Sequence, residues 1–344
     1  MIHIRKRLVL EQVLLAGLLW SACARLPTRT LPAALPPATD SLALPDGHTA
    51  RHFLAMTRSV SVKDYFPFID SVVAVYHTQV DYPLTEHVLV HANPWIIDTL
   101  VRTDYYHQRD QGRFVYDQRS MPVLTPGDTL HIPTEAEALA IQQQLNQTVL
   151  DVNIPEFKLS VLVADSVQHS FPVRVGQNRQ KFLATAGRIV DLRTPVGNGK
   201  IVRIERDPYF VDPASGEPFS TTERDDGRHT QMPQIPWLEP EINGLRYGTL
   251  IHPTTNPSTL DQAYSNGCVG TPEGAAWIIY YHAPVGTPVR FRYDVEVVDE
   301  QGDTLRLKDI YRRPTETKFR SGGVSAARAP GSDFLRDHHP THCR

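Results

Sequence analysis

Two residues in the C-terminal half of the chain, His252 and Cys268, combine a base with a nucleophile. His252 closes the apolar segment 247–252, and Cys268 follows it by 16 residues, which is enough for a loop that returns the thiol to the imidazole. A free thiol has a pKa of about 8.5, so a neighbouring histidine is needed to supply thiolate at neutral pH. The pair predicts cysteine-dependent acyl transfer with His252 as the general base.

The residues around Cys268 favour this chemistry. Gly267 permits backbone conformations closed to other residues, so the amides of Gly267 and Cys268 are candidates for an oxyanion hole. A helix is predicted from Pro272 to His282 with Thr271 as its N-cap, and its dipole would favour an anion at the turn. Taken singly, a cysteine is more often a small buried hydrophobic residue and a histidine is more often structural.

The sequence Ser-Asn-Gly-Cys at 265–268, after a strand that ends in histidine, resembles the active-site signature of the L,D-transpeptidases, or YkuD family. In that family a histidine precedes a Ser/Thr-His-Gly-Cys turn. The resemblance extends over about residues 155–298 and includes the segments 173–176, 194–197 and 286–289. It implies a β-sandwich-like catalytic domain that needs no metal or organic cofactor.

The resemblance also implies a reaction on peptidoglycan. A cysteine attacks the L-to-D peptide bond of a tetrapeptide stem, the terminal D-residue leaves, and the amine of a second stem resolves the acyl-enzyme into a crosslink. On this chain it implies Cys268 as the nucleophile and His252 as the base. Ser265 would order the turn, and Gly267 with Cys268 would supply the oxyanion donors.

Two positions depart from the family pattern. Asn266 stands where the family has a second histidine, which removes a titratable group but keeps a side chain that donates and accepts hydrogen bonds. Gly270 stands where the family often has Arg or Asn. Because His252 and Cys268 are both present, we expect an active variant of the family.

Polar residues in predicted loops are candidates to contact the substrate. Arg224 and Arg246 each carry a guanidinium that can hold a stem carboxylate through two hydrogen bonds. Tyr247 and Asn266 are the other candidates. Each arginine taken singly is more often a surface or structural residue.

Two other functions stay open at the level of sequence. An L,D-carboxypeptidase, or a hydrolase that cuts a wall crosslink or a protein attachment, would use the same acyl-enzyme with water as the acceptor. A noncatalytic cell-wall-binding protein would bind peptidoglycan without becoming acylated.

The N-terminal residues 1–23 have the pattern of an export signal, with basic residues at 5–7 and an apolar stretch at 13–20. This stretch is too short to span a bilayer as a helix. Small residues before Cys23 resemble a lipoprotein cleavage site, at which the cysteine is lipidated. We therefore expect a periplasmic protein of the cell envelope with a lipid anchor on Cys23, and an uncleaved N-terminal anchor is the alternative.

The chain contains three cysteines, Cys23, Cys268 and Cys343. A chain of this size does not need disulfides as its framework, so we expect Cys268 to be free. A disulfide between Cys268 and Cys343 is the alternative. The tail 313–344, which carries Cys343, is predicted to be disordered.

The remaining sequence predicts a mainly β protein with helices, of the α+β class. A proline-rich tether at 24–48 precedes an accessory α-rich domain at 50–150. Its segment 124–133 resembles the end of a LysM-type glycan-binding module, and an unrelated helical packing domain is the preferred alternative. Short β-branched and aromatic runs separated by polar turns at 151–312 predict an antiparallel sandwich or barrel-like catalytic domain. Within the accessory domain, Asn93 and Pro94 predict a turn between two helices.

Composition limits the partners of the chain. Its 344 residues are 41% hydrophobic and 21% charged, which is usual for a soluble globular protein. The formal net charge is −3, so no global field attracts the chain to nucleic acid, and no nucleic-acid partner is expected.

Overall fold

The computed structural model of this chain describes residues 52–299 and 301–312. The predicted export signal with Cys23, the tether 24–48 and the tail 313–344 lie outside the described residues. In the part that is described, no helix has the length and apolar character needed to cross a membrane.

Most of the helices come before the large sheet. In the described residues they are α1 (Val62–His77), α2 (Glu86–His91), α3 (Trp95–Val101), α4 (Tyr105–Asp110), α5 (Glu135–Asn146) and α6 (Glu273–His282). The predicted turn between two helices is confirmed, because Asn93 and Pro94 separate α2 from α3. Thr134 and Glu137 form a capping box at the start of α5.

The start of α6 differs from the sequence prediction by one residue. The helix begins at Glu273, and Pro272 takes the N-cap position without a side-chain hydrogen bond, so the prediction of Thr271 as the cap is wrong. The cap comes from another element: the Asp104 carboxylate, at the start of α4, accepts a hydrogen bond of 2.9 Å from the Gly274 N–H. An acidic group at this helix end satisfies a backbone donor and interacts favourably with the helix dipole.

One eight-stranded mixed sheet forms the centre of the fold. Its strands are β5 (Thr148–Asn153), β6 (Lys158–Val163), β7 (Ser166–Pro172), β11 (Gly197–Glu205), β14 (Trp237–Ile242), β15 (Ile251–Pro253), β17 (Val269–Thr271) and β18 (Pro288–Arg292). The order across the sheet is β17-β15-β14-β11-β18-β5-β6-β7. Arg174, just after β7, bridges to Gly270 of β17, so the sheet is nearly closed.

This architecture confirms the predicted mainly β, barrel-like class with helices at the N-terminal side. Most neighbouring strands of the sheet are antiparallel, as expected. The pairs β15–β17 and β18–β5 are parallel, which the sequence prediction did not include. A parallel pair needs a crossover connection, and residues 254–268 supply the one between β15 and β17. The helix α6 connects β17 to β18, which are not neighbours in the sheet.

The shorter strands of the described region form separate two-stranded pairs. They are β1 (His52–Ala55) with β4 (Thr129–Ile132), β2 (Val60–Ser61) with β3 (Pro122–Leu124), β8 (Val175–Gly176) with β16 (Ala263–Ser265), β9 (Gln180–Leu183) with β10 (Arg188–Asp191), β12 (Thr221–Glu223) with β13 (His229–Gln231), and β19 (Glu296–Val298) with β20 (Thr304–Arg306). The pair β8–β16 matters for function because it leads directly into the turn before Cys268.

The N-terminal helices and the sheet share one hydrophobic core. Phe66 of α1 lies with its ring centroid 6.0 Å from that of Trp277 in α6, and the Tyr65 ring lies 6.4 Å from Trp277. All three residues belong to the same buried cluster as sheet residues such as Leu150 and Phe291. The described residues accordingly fall within one compact unit.

Candidate active site

His252 lies in the middle of β15, and Cys268 comes directly before its parallel neighbour β17. His252 is opposite Gly270 in the register, and Ile251 is opposite Val269. Position 268 is two residues before position 270, so regular alternation of side chains would direct Cys268 to the face of His252. The two residues are offset by two positions, which is about 6.6 Å along the strands. The long connection thus brings the segment that contains Cys268 back beside the strand that carries His252.

Trp237 of β14 packs against both residues. Its ring centroid lies 5.5 Å from that of His252, and Trp237, Leu250 and Cys268 form a small buried cluster of their own. The Leu250 N–H donates a hydrogen bond of 3.1 Å to Cys268 Sγ. A backbone donor aimed at sulfur favours the thiolate, because it stabilises negative charge there.

Cys268 is fully buried and disulfide-bonded in this structure. The expectation of a free Cys268 thiol is therefore wrong for this form of the protein. The other two cysteines of the chain, Cys23 and Cys343, lie outside the described residues. Acyl transfer requires a thiolate, so the form described here must be reduced before Cys268 can act as a nucleophile.

The surroundings of His252 fix its tautomer. Its Nδ1–H donates a hydrogen bond of 2.8 Å to the Pro253 carbonyl oxygen, and its buried Nε2 has no hydrogen-bond partner among the described residues. Burial, followed by the nearby charge of Arg174, lowers the pKa of His252 to about 3. The imidazole is therefore neutral with a bare Nε2, which is the form that accepts a proton from a thiol.

Hydrogen bonds hold the turn before Cys268 in one conformation. The Ser265 hydroxyl donates to the Cys268 carbonyl oxygen at 2.6 Å and accepts from the Gly267 N–H at 3.2 Å. Thr194 Oγ1 donates to the Gly267 carbonyl oxygen at 3.1 Å. Gly267 has a φ of +116°, which requires glycine.

These contacts bear on the expected oxyanion hole. Because the Gly267 N–H donates to Ser265, it is not available to an oxyanion in this conformation, and the expected role of Gly267 as a donor is corrected to that of a turn residue. Ser265 holds the turn through its hydrogen bonds to the Cys268 carbonyl oxygen and the Gly267 N–H.

A cleft of about 730 Å³ lies against this region. The parts of its wall that bear on the chemistry are Arg174, Phe210, Trp237, His252, Tyr264 and Asn266. Cys268 is not part of this wall and is buried next to Trp237. A substrate in the cleft would therefore meet the imidazole and the turn residue Asn266, whereas the buried sulfur of Cys268 is not exposed to it.

The four expected substrate-binding residues fall in different places. Asn266 is in the cleft wall, and Tyr247 is 47% exposed but outside it. Arg246 binds the buried Glu239 carboxylate through two hydrogen bonds of 2.7 and 2.9 Å, which occupies its fork of donors.

Arg224 is corrected from a substrate residue to a structural one. Its side chain is completely buried and ion-paired with Glu273 of α6. It also donates to Gln118 Oε1 at 2.8 Å and to Thr230 Oγ1 at 2.7 Å, and its guanidinium lies 4.5 Å from the Tyr105 ring centroid. A group enclosed in this way does not reach a ligand in the cleft.

Sequence reasoning missed three residues of the site. Trp237 and Arg174 reach it from β14 and from the end of β7, far from the motif along the chain, and no local pattern marks them. Thr194 lies in a segment that the family resemblance included, but its bond to Gly267 is visible only in three dimensions. Among the described residues, no group of three or more His, Cys, Asp or Glu side chains is arranged to hold a metal ion.

The fold and the site define a mainly β domain in which a histidine of the cleft wall and a buried cysteine both pack against Trp237. Residues 147–291 match the family model of the YkuD L,D-transpeptidase catalytic domain, which confirms the resemblance found in the sequence. The match covers less than half of the 344-residue chain. No curated protein sequence matches the chain.

Solved structures of L,D-transpeptidases are similar at low identity. An L,D-transpeptidase from Mycobacterium smegmatis is 16% identical over 42% of this chain and 58% of its own length, with a TM-score of 0.30. Residues 123–326 of the enzyme from Xylanimonas cellulosilytica are 16% identical over 55% of this chain and 79% of theirs, with a TM-score of 0.32. The catalytic domain of the E. faecium enzyme is 17% identical over 43% of this chain and 98% of its own length, with a TM-score of 0.28. The chain thus spans about three fifths of the length of the first of these relatives.

Proposed function

We propose that this protein is a peptidoglycan L,D-transpeptidase that forms crosslinks through a cysteinyl acyl-enzyme on tetrapeptide stems. The observation that supports the proposal is the pairing of β15 with β17, which brings the segment of Cys268 beside the strand of His252, inside the segment that matches the family model. The cleft beside His252 supplies space for an extended peptide.

The proposed reaction has two steps. His252 Nε2 takes the thiol proton, Sγ attacks the stem carbonyl carbon, the C–N bond breaks, and the departing D-residue amine takes the proton from the imidazolium. The amine of a second stem then attacks the thioester and gives its proton to His252, and the thiolate leaves. The Leu250 N–H supports the anionic sulfur before and after each step.

The substrate class implies a place in the cell envelope. We propose that the protein works in the periplasm on peptidoglycan stem peptides, held to a membrane by a lipid on Cys23. Radiolabelled palmitate incorporated by the wild type and absent from Cys23→Ala would support the anchor, and labelling of both proteins would contradict it.

Carbapenem acylation tests the enzyme directly. The full chain is reduced, incubated with a carbapenem and examined by intact-mass spectrometry, with Cys268→Ala as the matched control. We expect one adduct on the wild type, none on Cys268→Ala, and an acylation rate lower by about 10²–10⁴ in His252→Ala, since general-base assistance is typically of that size. A wild-type rate in His252→Ala would show that another group activates the thiol.

Product analysis separates transfer from hydrolysis. Purified tetrapeptide muropeptides should yield crosslinked dimers in the presence of the reduced protein. Trimmed monomers alone would identify a carboxypeptidase or hydrolase with the same acyl-enzyme.

A noncatalytic wall-binding protein is the second candidate, and the complete burial of Cys268 behind Trp237 favours it. This candidate predicts binding to peptidoglycan sacculi without any adduct after reduction. Trp237→Ala distinguishes the two, because removing the ring should accelerate acylation of an enzyme whose sulfur it covers and should leave a noncatalytic protein unmodified.

A further inference from the structure

The side chain of Arg174 lies in the wall of the cleft. Its backbone pairs with that of Gly270 through two hydrogen bonds of 2.9 Å, which fixes the Cα at the junction of the two sheet edges. Its Nη1 donates to Thr259 Oγ1 at 3.2 Å. The residue as a whole is buried and yet takes part in the same wall as His252 and Asn266. A permanent positive charge is therefore anchored beside the imidazole.

Gly270 makes room for this side chain. A Cβ built on Gly270 would lie 2.5 Å from Arg174 Nε and 2.7 Å from Arg174 Cγ, both far inside contact distance. The backbone of Gly270 is not in the left-handed region, so its conformation does not demand glycine. The space does. Gly270 in β17 thus leaves room for the side chain of Arg174, which lies just after β7 and almost a hundred residues earlier in the sequence.

The position of the Arg174 guanidinium suits the terminal carboxylate of the proposed acyl donor. In a tetrapeptide stem, the terminal residue carries a free carboxylate one residue beyond the bond that is cut. Arg174 and His252 share a wall, so a donor whose carbonyl faces His252 brings that carboxylate to the same end of the cleft. Arginine binds carboxylates through two parallel hydrogen bonds, which fixes orientation as well as position.

We propose that Arg174 is a specificity residue that binds the C-terminal carboxylate of the acyl-donor stem and thereby positions the scissile bond before His252 and Cys268. The assignment rests on the proposed function for the identity of the donor. The guanidinium takes no part in bond making, and the carboxylate leaves with the departing D-residue.

The test compares two donors that differ only in this group. A tetrapeptide stem with a free terminal carboxylate and the same stem with a terminal carboxamide are given to the reduced full chain, and kcat/KM is measured for each. A charge-assisted hydrogen bond of the usual strength predicts a preference of about 10- to 100-fold for the acid. Arg174→Gln should reduce that ratio to near one by lowering kcat/KM for the acid, and Arg174→Lys should keep part of it.

A matched control and a coupled variant sharpen the result. Arg179→Gln removes an equal charge from the same cleft wall and should retain the acid preference. Gly270→Ala should lose the preference in the wild-type background because the new methyl group displaces Arg174. In Arg174→Ala the arginine side chain is absent, so the additional change Gly270→Ala should not alter the ratio of kcat/KM for the acid and the amide any further. Urea unfolding of each variant identifies any that fail to fold.

A binding measurement separates the test of Arg174 from the test of the acyl-transfer activity. In Cys268→Ala, titration calorimetry should show the acid binding more tightly than the amide, and Arg174→Gln should abolish the difference. That result would stand even if the wild type formed no acyl-enzyme. Equal binding of acid and amide to a folded Cys268→Ala protein, or an unchanged ratio in Arg174→Gln, would overturn the role of Arg174.

Discussion

At the scale of single residues, the protonation of His252 depends on what the sulfur beside it carries. The pKa of about 3 belongs to a buried imidazole near Arg174, in a structure whose Cys268 is disulfide-bonded and uncharged. An anion close to an imidazole stabilises its protonated form. Reduction of Cys268 therefore changes the basicity of His252 as well as releasing a nucleophile.

The first residue-scale prediction follows from this coupling. Reduction should raise the pKa of His252 in the wild type, whereas Cys268→Ala should keep it near 3, because no thiolate can form. NMR titration of the His252 ring carbons in both proteins measures the difference. Identical pKa values in reduced wild type and Cys268→Ala would show that the two side chains are not electrostatically coupled.

Ser265 provides a second prediction at this scale. Ser265→Ala removes both hydrogen bonds that hold the turn, so Gly267 N–H and the Cys268 carbonyl lose their partner. We expect a loss of roughly 1–3 kcal/mol in unfolding free energy and a slower carbapenem acylation. Ser265→Thr keeps the hydroxyl and serves as the matched control. Wild-type acylation in Ser265→Ala would show that the turn does not depend on this side chain.

What the sequence predicts about the site is what lies close together along the chain. Cys268, His252 and the ordering role of Ser265 follow from one short motif and the strand before it. Arg174 and Trp237 do not, because strand pairing brings them in from distant segments. Arg224 was misassigned because a polar loop sequence does not reveal that its guanidinium faces a buried carboxylate.

At the scale of elements, α6 is held from its N-terminal end by the helices before the sheet. The Glu273 carboxylate accepts hydrogen bonds from the Tyr105 N–H at 3.1 Å and from Gln118 Nε2 at 2.7 Å, and it pairs with Arg224. Asp104 caps the same helix through Gly274. These contacts join α4 and the segment after it to the helix that follows the cysteine turn.

Glu273→Ala tests this junction. It leaves the Arg224 charge buried without its partner, so we expect a loss of about 3–5 kcal/mol in unfolding free energy, measured by urea denaturation. Asp110→Ala breaks the exposed pair with Arg109 and should cost about 0–1 kcal/mol. Equal losses in the two variants would contradict a structural role for the buried pair.

Tyr106 of α4 links this junction to the cleft. Its hydroxyl donates to the Thr255 carbonyl oxygen at 2.8 Å and accepts from the Asp225 N–H at 3.0 Å, and both of those residues line the cleft. Tyr106→Phe should lower kcat/KM by about 3- to 10-fold with a stability loss of about 1 kcal/mol, because the cleft loops lose one fixed point.

The matched change for Tyr106 is Tyr116→Phe. The Tyr116 hydroxyl bonds only weakly to Gln231 Nε2, at 3.3 Å, and Tyr116 is not in the cleft wall. This variant should keep wild-type kcat/KM. A similar loss of activity in both tyrosine variants would show that the effect is not specific to the cleft loops.

At the scale of the whole molecule, four histidines meet where α2, α6 and β7 pack together. The ring of His282 lies 4.9 Å from that of His91 and 5.0 Å from that of His169, and His87 packs beside Tyr280. Burial lowers the pKa of all four, to about 4 for His87 and His282. Arg206 adds a further positive charge that disfavours protonation of His87.

These lowered values predict a loss of stability in acid. Between about pH 6.5 and pH 4 the unfolded chain binds protons at these histidines that the folded protein does not, so unfolding free energy falls as the pH falls through this window. His87→Gln should remove about 2–3 kcal/mol of the loss between pH 7.5 and pH 4.5. Urea denaturation at both pH values measures it, with the exposed His107→Gln as the control. An acid loss as large in His87→Gln as in the wild type would refute the assignment.

The fold class was predictable from alternating strands and turn signals, but the joining of its parts was not. The sequence divides visibly into a helical part and a β part, which suggests two separate domains. The ring contacts of Phe66 and Tyr65 with Trp277, and the histidines of α2 beside His282, are pairings between residues far apart in the chain. No local pattern specifies them.

The shared core has a practical consequence for anyone who would trim the gene to the segment that matches the family model. A polypeptide running from 147 to 291 keeps α6 and most of the sheet but lacks α1 to α5, so the aromatic side of α6, with Trp277, Tyr280 and Tyr281, would face water. Such a truncated product should precipitate or bind hydrophobic dyes, whereas one that begins near His52 should stay in solution.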